Sequence, residues 1–290
     1  MPWSLQAMLN LSPYRPLELS DREFELLSRL IYTQCGIHLT AAKKELVKAR
    51  LGKRIRNGPF RTFQEYYQFV LNDETGEELT RLLDSITTNF TFFFREKGHF
   101  DYLREVILPE WVSQKKGRGR KIRIWSAACS SGEEPYSIAM TLLEGIENPP
   151  AWEISVLGTD LSTRALKTAE AGIFPKERLQ PVPPPLIKKY FLKGEDQWKD
   201  FVKVKEEVRR LVQFKRLNLM EPFQFAEPFD CIFCRNVMIY FDKKIQAELV
   251  NRLYECLERG GFLLIGHSES LTGIVHPFRY IRPAIYRKME

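Results

Sequence analysis

The chain has 290 residues, 44% hydrophobic and 28% charged, ordinary values for a globular protein with room for one large domain or two modest ones. No run approaches the roughly 18 consecutive apolar residues of a membrane span, and Met1-Pro2-Trp3-Ser4 offers neither a basic leader nor an apolar signal core, so a cytoplasmic location without membrane insertion is expected. The net charge of +7 is concentrated between Ala41 and Arg61, where eight basic residues (Lys43, Lys44, Lys48, Arg50, Lys53, Arg54, Arg56, Arg61) meet one acid, Glu45, a patch that implies an acidic partner at one face.

Residues 1–16 read as a lead-in, and 17–88 as an all-helical domain. Ser20 and Glu23 form a capping-box pattern ahead of the stripe Phe24, Leu27, Leu30 and Ile31, which stops at Gly36. A second helix is predicted from about Thr40 to Arg56, with Val47, Leu51 and Ile55 on one side and the bases over most of the rest. Thr62 with Glu65 opens a third, carrying Tyr66, Phe69 and Val70. Leu79, Leu82, Leu83 and Ile86 define a fourth.

Residues 89–120 read as a junction and linker helix. The run from Thr87 to Glu96 interleaves Asn89, Thr91 and Arg95 with four phenylalanines, a texture that on its own suggests core. A helix from about His99 to Val112 follows, and Lys115-Lys116-Gly117-Arg118-Gly119-Arg120 is a solvated connector, too short for a nucleic-acid arm. From 121 to 290 the pattern becomes α/β. Ile122 and Ile124 mark a strand, Gly132 a tight turn, and Ile138, Met140, Leu142, Leu143 and Ile146 a helix with Pro135 in its first turn.

A dinucleotide site would offer Gly-x-Gly-x-x-Gly here, with bare N–H groups for a pyrophosphate. One glycine followed by Glu133 and Glu134 repels an anion but suits an ammonium group, as in a nucleoside carrying an amino-acid tail. The plainer alternative is that both acids complement the helix dipole. Asp160 ends the second strand (Ile154–Asp160), where a ribose-hydroxyl acceptor belongs; a helix N-cap is its plainer role, which Ser162 or Thr163 can also fill.

Residues 173–210 break this rhythm. Pro181-Val-Pro-Pro-Pro185 excludes helix and central strand, and Phe201-Val-Lys-Val alternates as an exposed strand would, so a small antiparallel insert is expected. Strands resume at 211–217, leading into Asn218-Leu219, and at 229–233, leading into Cys234-Arg235-Asn236. A helix over 243–257 stops at Gly260-Gly261, the strand 262–266 follows, and the tail closes as a hairpin. Five cysteines form no disulfide framework. Cys231 and Cys234 lie in an apolar run without a second pair and read as buried strand residues, with no metal expected.

Several of these blocks, in this order, resemble the CheR family of chemotaxis receptor methyltransferases. They are Thr-Thr-Asn-Phe-Thr with Phe-Phe-Arg-Glu (87–96), Trp-Ser-Ala-Ala-Cys-Ser-Ser-Gly-Glu-Glu-Pro-Tyr-Ser (125–137), Phe-Asp-Cys-Ile-Phe-Cys-Arg-Asn-Val-Met-Ile-Tyr-Phe (229–241) and Gly-His-Ser-Glu-Ser (266–270). The resemblance implies a Rossmann-like S-adenosylmethionine-dependent methyltransferase sheet with a small antiparallel β insert, preceded by an all-helical domain. It implies a cofactor pocket of Asn89, Thr91, Arg95, Glu134 (or Glu133), Asp160, Asn218, Leu219, Arg235 and Asn236, overturning the core reading of 87–96. The implied substrate is a glutamate side chain on the cytoplasmic helices of methyl-accepting chemoreceptors, converted to a methyl ester with S-adenosylhomocysteine as co-product.

An exposed glutamate (pKa about 4.3) is already ionised at neutral pH, so no strong general base is needed. Arg95 is the candidate to steer it and Tyr240 to orient it or flank the methyl, while His267 is expected to be structural. The basic helix, through Lys43, Arg50, Lys53 and Arg54, would dock acidic receptor helices. A monomer without nucleic-acid partner is expected. The rivals are a methyltransferase for another acceptor, against which Arg-Asn-Val-Met-Ile-Tyr in place of Asn-Pro-Pro-Tyr argues, and a non-catalytic cofactor-binding regulator.

Overall fold

The computed structural model describes residues 17–115 and 119–289, so the lead-in at 1–16 and Lys116-Gly117-Arg118 of the connector lie outside the described residues. The chain divides into two compact units. One contains residues 17–33 and 39–86; the other contains Gln34–His38 and everything from Thr87 onward.

The first unit is helical, with α1 (Asp21–Cys35, its last two residues counted in the second unit), α2 (Lys44–Arg56), α3 (Phe63–Asn72) and α4 (Glu77–Ile86). Both capping signals act, one of them by half. Ser20 Oγ accepts from Glu23 N at 3.2 Å while Glu23 accepts from Ser20 N at 2.8 Å, closing a full box. Thr62 Oγ1 accepts from Glu65 N at 3.1 Å, but Glu65 turns its carboxylate to Arg61 N instead. Leu27, Val47, Leu51, Phe63, Tyr66 and Leu82 are fully buried and form the core.

Much of the basic character of α2 is spent inside this unit. Arg54 grips the buried carboxylate of Glu78 on α4 through two bonds of 2.7 and 2.6 Å, and Arg81 adds a third at 3.1 Å. Arg50 donates to the carbonyl of Ile86 at the end of α4. Lys44 pairs with Asp21, and Lys48 with Glu18. Of the four residues expected to dock a partner, Arg50 and Arg54 therefore hold α2 to α4, while Lys43 and Lys53 are exposed along with Arg56 and Arg61.

The second unit opens with a helix from Gly98 to Gln114, formed by α5 (Gly98–Tyr102), a π-helical turn (Leu103–Ile107) and α6 (Leu108–Gln114). The wide turn immediately precedes Pro109, whose ring and missing N–H disturb the regular ladder. Then come β1 (Lys121–Ala127), α7 (Glu133–Gly145), β2 (Glu153–Asp160) and α8 (Thr163–Ala171). The insert holds β3 (Ile173–Pro175), α9 (Pro184–Tyr190), β4 (Phe191–Lys193), β5 (Phe201–Val204) and α10 (Glu206–Arg209). The sheet resumes with β6 (Val212–Arg216), β7 (Phe229–Cys234), α11 (Lys243–Glu255), β8 (Leu257–Ile265), β9 (Arg279–Arg282) and β10 (Ile285–Arg287).

Strand order is β6-β2-β1-β7-β8-β10-β9; the first five are parallel, and the tail hairpin adds two antiparallel strands. Both faces are covered, as a parallel sheet requires. On β7, Cys231 and Phe233 enter one core while Ile232 and Cys234 enter the other. Those two cysteines therefore point to opposite faces and cannot share one metal ion. The insert is a three-stranded antiparallel sheet, β3-β5-β4.

Three local expectations change. The proline run does not exclude helix, because α9 starts on Pro184 and Pro185, which occupy a first turn whose N–H groups have no intrahelical partner. Phe201–Val204 is the central strand of its sheet, with Val202 and Val204 buried. The strand after α11 begins at Leu257, so Gly260-Gly261 lie inside β8, alongside a shift in the β7–β8 register.

Burial alone would raise the Glu78 carboxyl, but the bonds from Arg54 and Arg81 outweigh it and hold it below its ordinary value. Its folded pKa is thus depressed, and its stabilisation is present above the ordinary carboxyl pKa and lost as pH falls through the folded value. Replacing Glu78 by Gln strands Arg54 and should destabilise this unit by about 3 kcal/mol at neutral pH. Thermal denaturation at pH 7 and pH 3 should show a deficit that narrows in acid; an equal deficit at both would contradict this role.

Candidate active site

The carboxyl ends of β1, β2, β6 and β7 meet along the crevice where open α/β sheets bind ligands. Backbone strain is concentrated there. Of the seven described non-glycine residues with positive φ, five (Phe94, Glu96, Ala128, Ser130 and Asn236) lie in the segments that converge on these ends. Gly132, with φ of 97°, caps α7, and a Cβ there would stand 2.7 Å from the Ala169 side chain, so the turn is pressed against α8.

The two acids after Gly132 are separated by the fold. Glu133 is fully buried, accepting from Ser131 Oγ at 2.6 Å and Arg178 at 2.9 Å; Arg178 also donates to the carbonyl of Thr91. Glu134 accepts from Ser126 Oγ and from Arg235, both at 2.7 Å, between the ends of β1 and β7. Arg235 reaches on to Glu96 at 3.0 Å and to the Arg95 carbonyl, with its side chain only 1% exposed. Glu133 is therefore committed to the insert, and Glu134 is the acid at the crevice.

Two carboxylates share this one guanidinium. Burial raises the Glu134 carboxyl despite Arg235 and Ser126. Burial also acts on Glu96, but Arg235, Asn236 and the His267 N–H overcome it and hold Glu96 below its usual range. His99 cannot supply the missing cation, since burial and the neighbouring Arg235 push its imidazole down to about 3. With both carboxylates ionised, the triad of Glu96, Arg235 and Glu134 counts one negative charge in excess. An ammonium group at Glu134 would neutralise it, which is the fit that S-adenosylmethionine demands at this end of the pocket.

The remaining expected residues surround the same strand ends. Asp160, at the end of β2, accepts from Ser130 N at 2.7 Å and Ser162 N at 2.8 Å, while Ser162 caps α8, so Asp160 is not the N-cap. Asn89 lies over this turn, donating to Ser162 Oγ and accepting from Ser130 Oγ through its carbonyl. Thr91 is buried. Arg95 is half-buried, donates to the Phe90 carbonyl at 2.9 Å and sits over the Phe90 and Phe92 rings. Asn218 and Leu219 follow β6; Asn218 spends its amide on Gln34 O at 2.7 Å and Met220 N at 3.1 Å, and Leu219 is buried. Asn236 donates to Glu96 at 3.2 Å. Tyr240 is half-buried and ends a 3-10 turn (Met238–Tyr240) anchored by a bond from His38 N to its carbonyl.

Glu96, His99 and His267 bring three potential metal-ligand atoms within 4.8 Å of one another. Glu96 Oε2 already receives Arg235, and a cation placed there would face that guanidinium at close range. Sequence reasoning gave no role to Glu96, Ser126, Ser130 or Glu269. Glu96 and Glu269 do stand in the Phe-Phe-Arg-Glu and Gly-His-Ser-Glu-Ser blocks, but their partners lie far along the chain.

Residues 22–87 match the family described as CheR methyltransferase, all-alpha domain, and residues 89–286 match CheR methyltransferase, SAM binding domain. The chemotaxis protein methyltransferase of Borreliella burgdorferi is 42% identical over 275 residues, covering 94% of this chain and 96% of the relative. The protein of the same description from Escherichia coli is 36% identical over 283 residues, covering 97% and 96%. Chemotaxis protein methyltransferase 2 of Pseudomonas aeruginosa is 39% identical over 267 residues, covering 91% and 92%. With both family domains matched in sequence and relatives of this description covering nearly the whole chain, this chain belongs to the CheR family of S-adenosylmethionine-dependent methyltransferases.

Proposed function

We propose that this chain methylates glutamate side chains on the cytoplasmic helices of chemoreceptors, producing methyl esters and S-adenosylhomocysteine. The observation that carries this is the ion cluster at the strand ends, where the carboxylates of Glu134 and Glu96 share the single guanidinium of Arg235. It suits the ammonium end of the cofactor and leaves Arg95 as a separate guanidinium for an acceptor carboxylate. Bound there, S-adenosylmethionine supplies an electrophilic methyl group.

Each residue has a defined task. Glu134 binds the ammonium, and Asp160 accepts from the ribose hydroxyls at the end of β2. Asn218 and Leu219 flank the base, while Asn89 and Thr91 cover the pocket from the segment that precedes the linker helix. Arg235 and Asn236 hold the pocket wall by their bonds to Glu134 and Glu96. Arg95 draws in the acceptor and Tyr240 orients it. A glutamate substrate arrives ionised, so positioning and exclusion of water are what the protein contributes. Residues 17–88 present Lys43 and Lys53 to an acidic receptor helix, 89–120 link the two parts, and 121–290 carry the chemistry around the insert at 173–210. The enzyme works as a cytoplasmic monomer.

Incubation with methyl-labelled cofactor and a receptor cytoplasmic fragment should give label that is released by mild base, as esters are. Base-stable label would point to nitrogen acceptors, and no label despite cofactor binding would favour a regulator. The double variant Lys43→Glu/Lys53→Glu should lower receptor methylation at least fivefold at low salt, with a smaller loss at high salt and unchanged S-adenosylhomocysteine affinity. Equal losses at both salts, or weakened cofactor binding, would contradict the docking assignment.

A further inference from the structure

Glu269 lies just beyond the end of β8, in the Gly-His-Ser-Glu-Ser block, and takes no part in the chemistry described above. Its carboxylate nevertheless gathers four backbone donors. Oε2 accepts from Asn236 N at 2.9 Å and Gly266 N at 2.5 Å, and Oε1 accepts from Val237 N at 3.0 Å and Met238 N at 2.8 Å. Three consecutive N–H groups aimed at one anion form a cradle of the kind that otherwise binds a phosphate or sulfate. Here the anion is the protein's own side chain.

What the cradle holds is the turn after β7, and both ends of that turn matter. At its start, Asn236 sits at φ of 56°, a left-handed geometry that asparagine adopts more readily than most non-glycine residues. That geometry lets Arg235 reach Glu134 and Glu96, and Asn236 itself reach Glu96. At its other end the chain enters the 3-10 turn that carries Tyr240, whose N–H bonds to the Val237 carbonyl at 3.1 Å.

Gly266 completes the arrangement. A Cβ there would stand 2.6 Å from Asn236 Nδ2, 2.8 Å from Glu269 Oε2 and 2.9 Å from Asn236 N, so only a glycine lets β8 close on the turn. Its neighbour His267 donates its own N–H to Glu96 at 3.2 Å, which ties the block to the triad by a second route.

We propose that Glu269 is a positioning residue for methyl transfer, an internal anion that clamps the β7 turn and thereby aims Arg235 and Asn236 at the cofactor and Tyr240 at the acceptor. This rests on the reading of those three residues under Proposed function. The carboxylate is required as such. In Glu269→Gln one oxygen still accepts from Val237 and Met238, but an NH2 group faces the N–H groups of Asn236 and Gly266, so the Arg235 end of the turn is released while packing volume is kept.

The test compares Glu269→Gln and Gly266→Ala with unsubstituted enzyme and with Glu78→Gln, a destabilised control in the other unit. All are assayed well below their melting temperatures, by calorimetry with S-adenosylhomocysteine and by turnover at saturating cofactor with a receptor fragment. Glu269→Gln should bind S-adenosylhomocysteine at least tenfold more weakly and also lose at least tenfold in kcat, with Gly266→Ala following in the same direction. The Glu78→Gln control should keep its S-adenosylhomocysteine affinity. If Glu269→Gln melts lower yet binds and turns over like the unsubstituted enzyme, the clamp is merely structural and the proposal is overturned. Should Glu269→Gln fail to fold, normal binding and kcat in Gly266→Ala would overturn it equally. Failure of the unsubstituted enzyme to bind would instead overturn the cofactor reading on which both rest.

Discussion

Arg235 is the group on which the rest of the site depends. Its side chain is withdrawn from water at the end of the central strand β7, where a lone guanidinium would be costly. The cost is offset by carboxylates from two different parts of the chain, Glu134 in the first turn of α7 and Glu96 in the phenylalanine-rich segment. Removing the arginine would leave two nearby half-buried carboxylates without compensation. Removing either acid would leave the guanidinium half satisfied. One ion cluster thus joins a strand end, a helix start and a covering segment into a pocket wall.

The excess charge of that cluster connects stability to function. Holding two carboxylates on one guanidinium away from water is an electrostatic cost to the folded protein, and burial raises Glu134 accordingly. In the proposed mode of binding, the ammonium group of the cofactor would supply a compensating positive charge beside Glu134. On that proposal, ligand affinity and protein stability would be linked through the same residue. The left-handed backbone at Ser130 and Asn236 belongs to the same economy, since strain is held where it shapes a site.

Much of this was legible in the sequence, for reasons that can be named. Ser20 with Glu23, and Gly132 followed by two acids, are local signals whose partners lie within a few residues. The parallel sheet followed from apolar strands alternating with periodic helices, and Asp160 drew attention by standing at a strand end, whereas Asn218 was implied by the family resemblance. What could not be read was the long-range pairing. Glu133 and Glu134 are adjacent and chemically identical, and only Arg178 and Arg235, distant along the chain, separate their roles. Arg54 looks like a surface base until Glu78 is folded against it. The proline run misled because helix position decides whether proline is tolerated, and composition carries no position.

The most direct measurement is the calorimetric affinity for S-adenosylhomocysteine of Glu134→Gln beside Glu133→Gln. The two carboxylates are one residue apart, so any general effect of lost charge on the helix N-terminus should be similar in both. If Glu134 meets the ammonium group, its variant should bind at least tenfold more weakly, while Glu133→Gln, which loosens the contacts with Ser131 and Arg178, should keep affinity within about threefold. Equal losses, or a larger loss at Glu133, would contradict the account of the pocket.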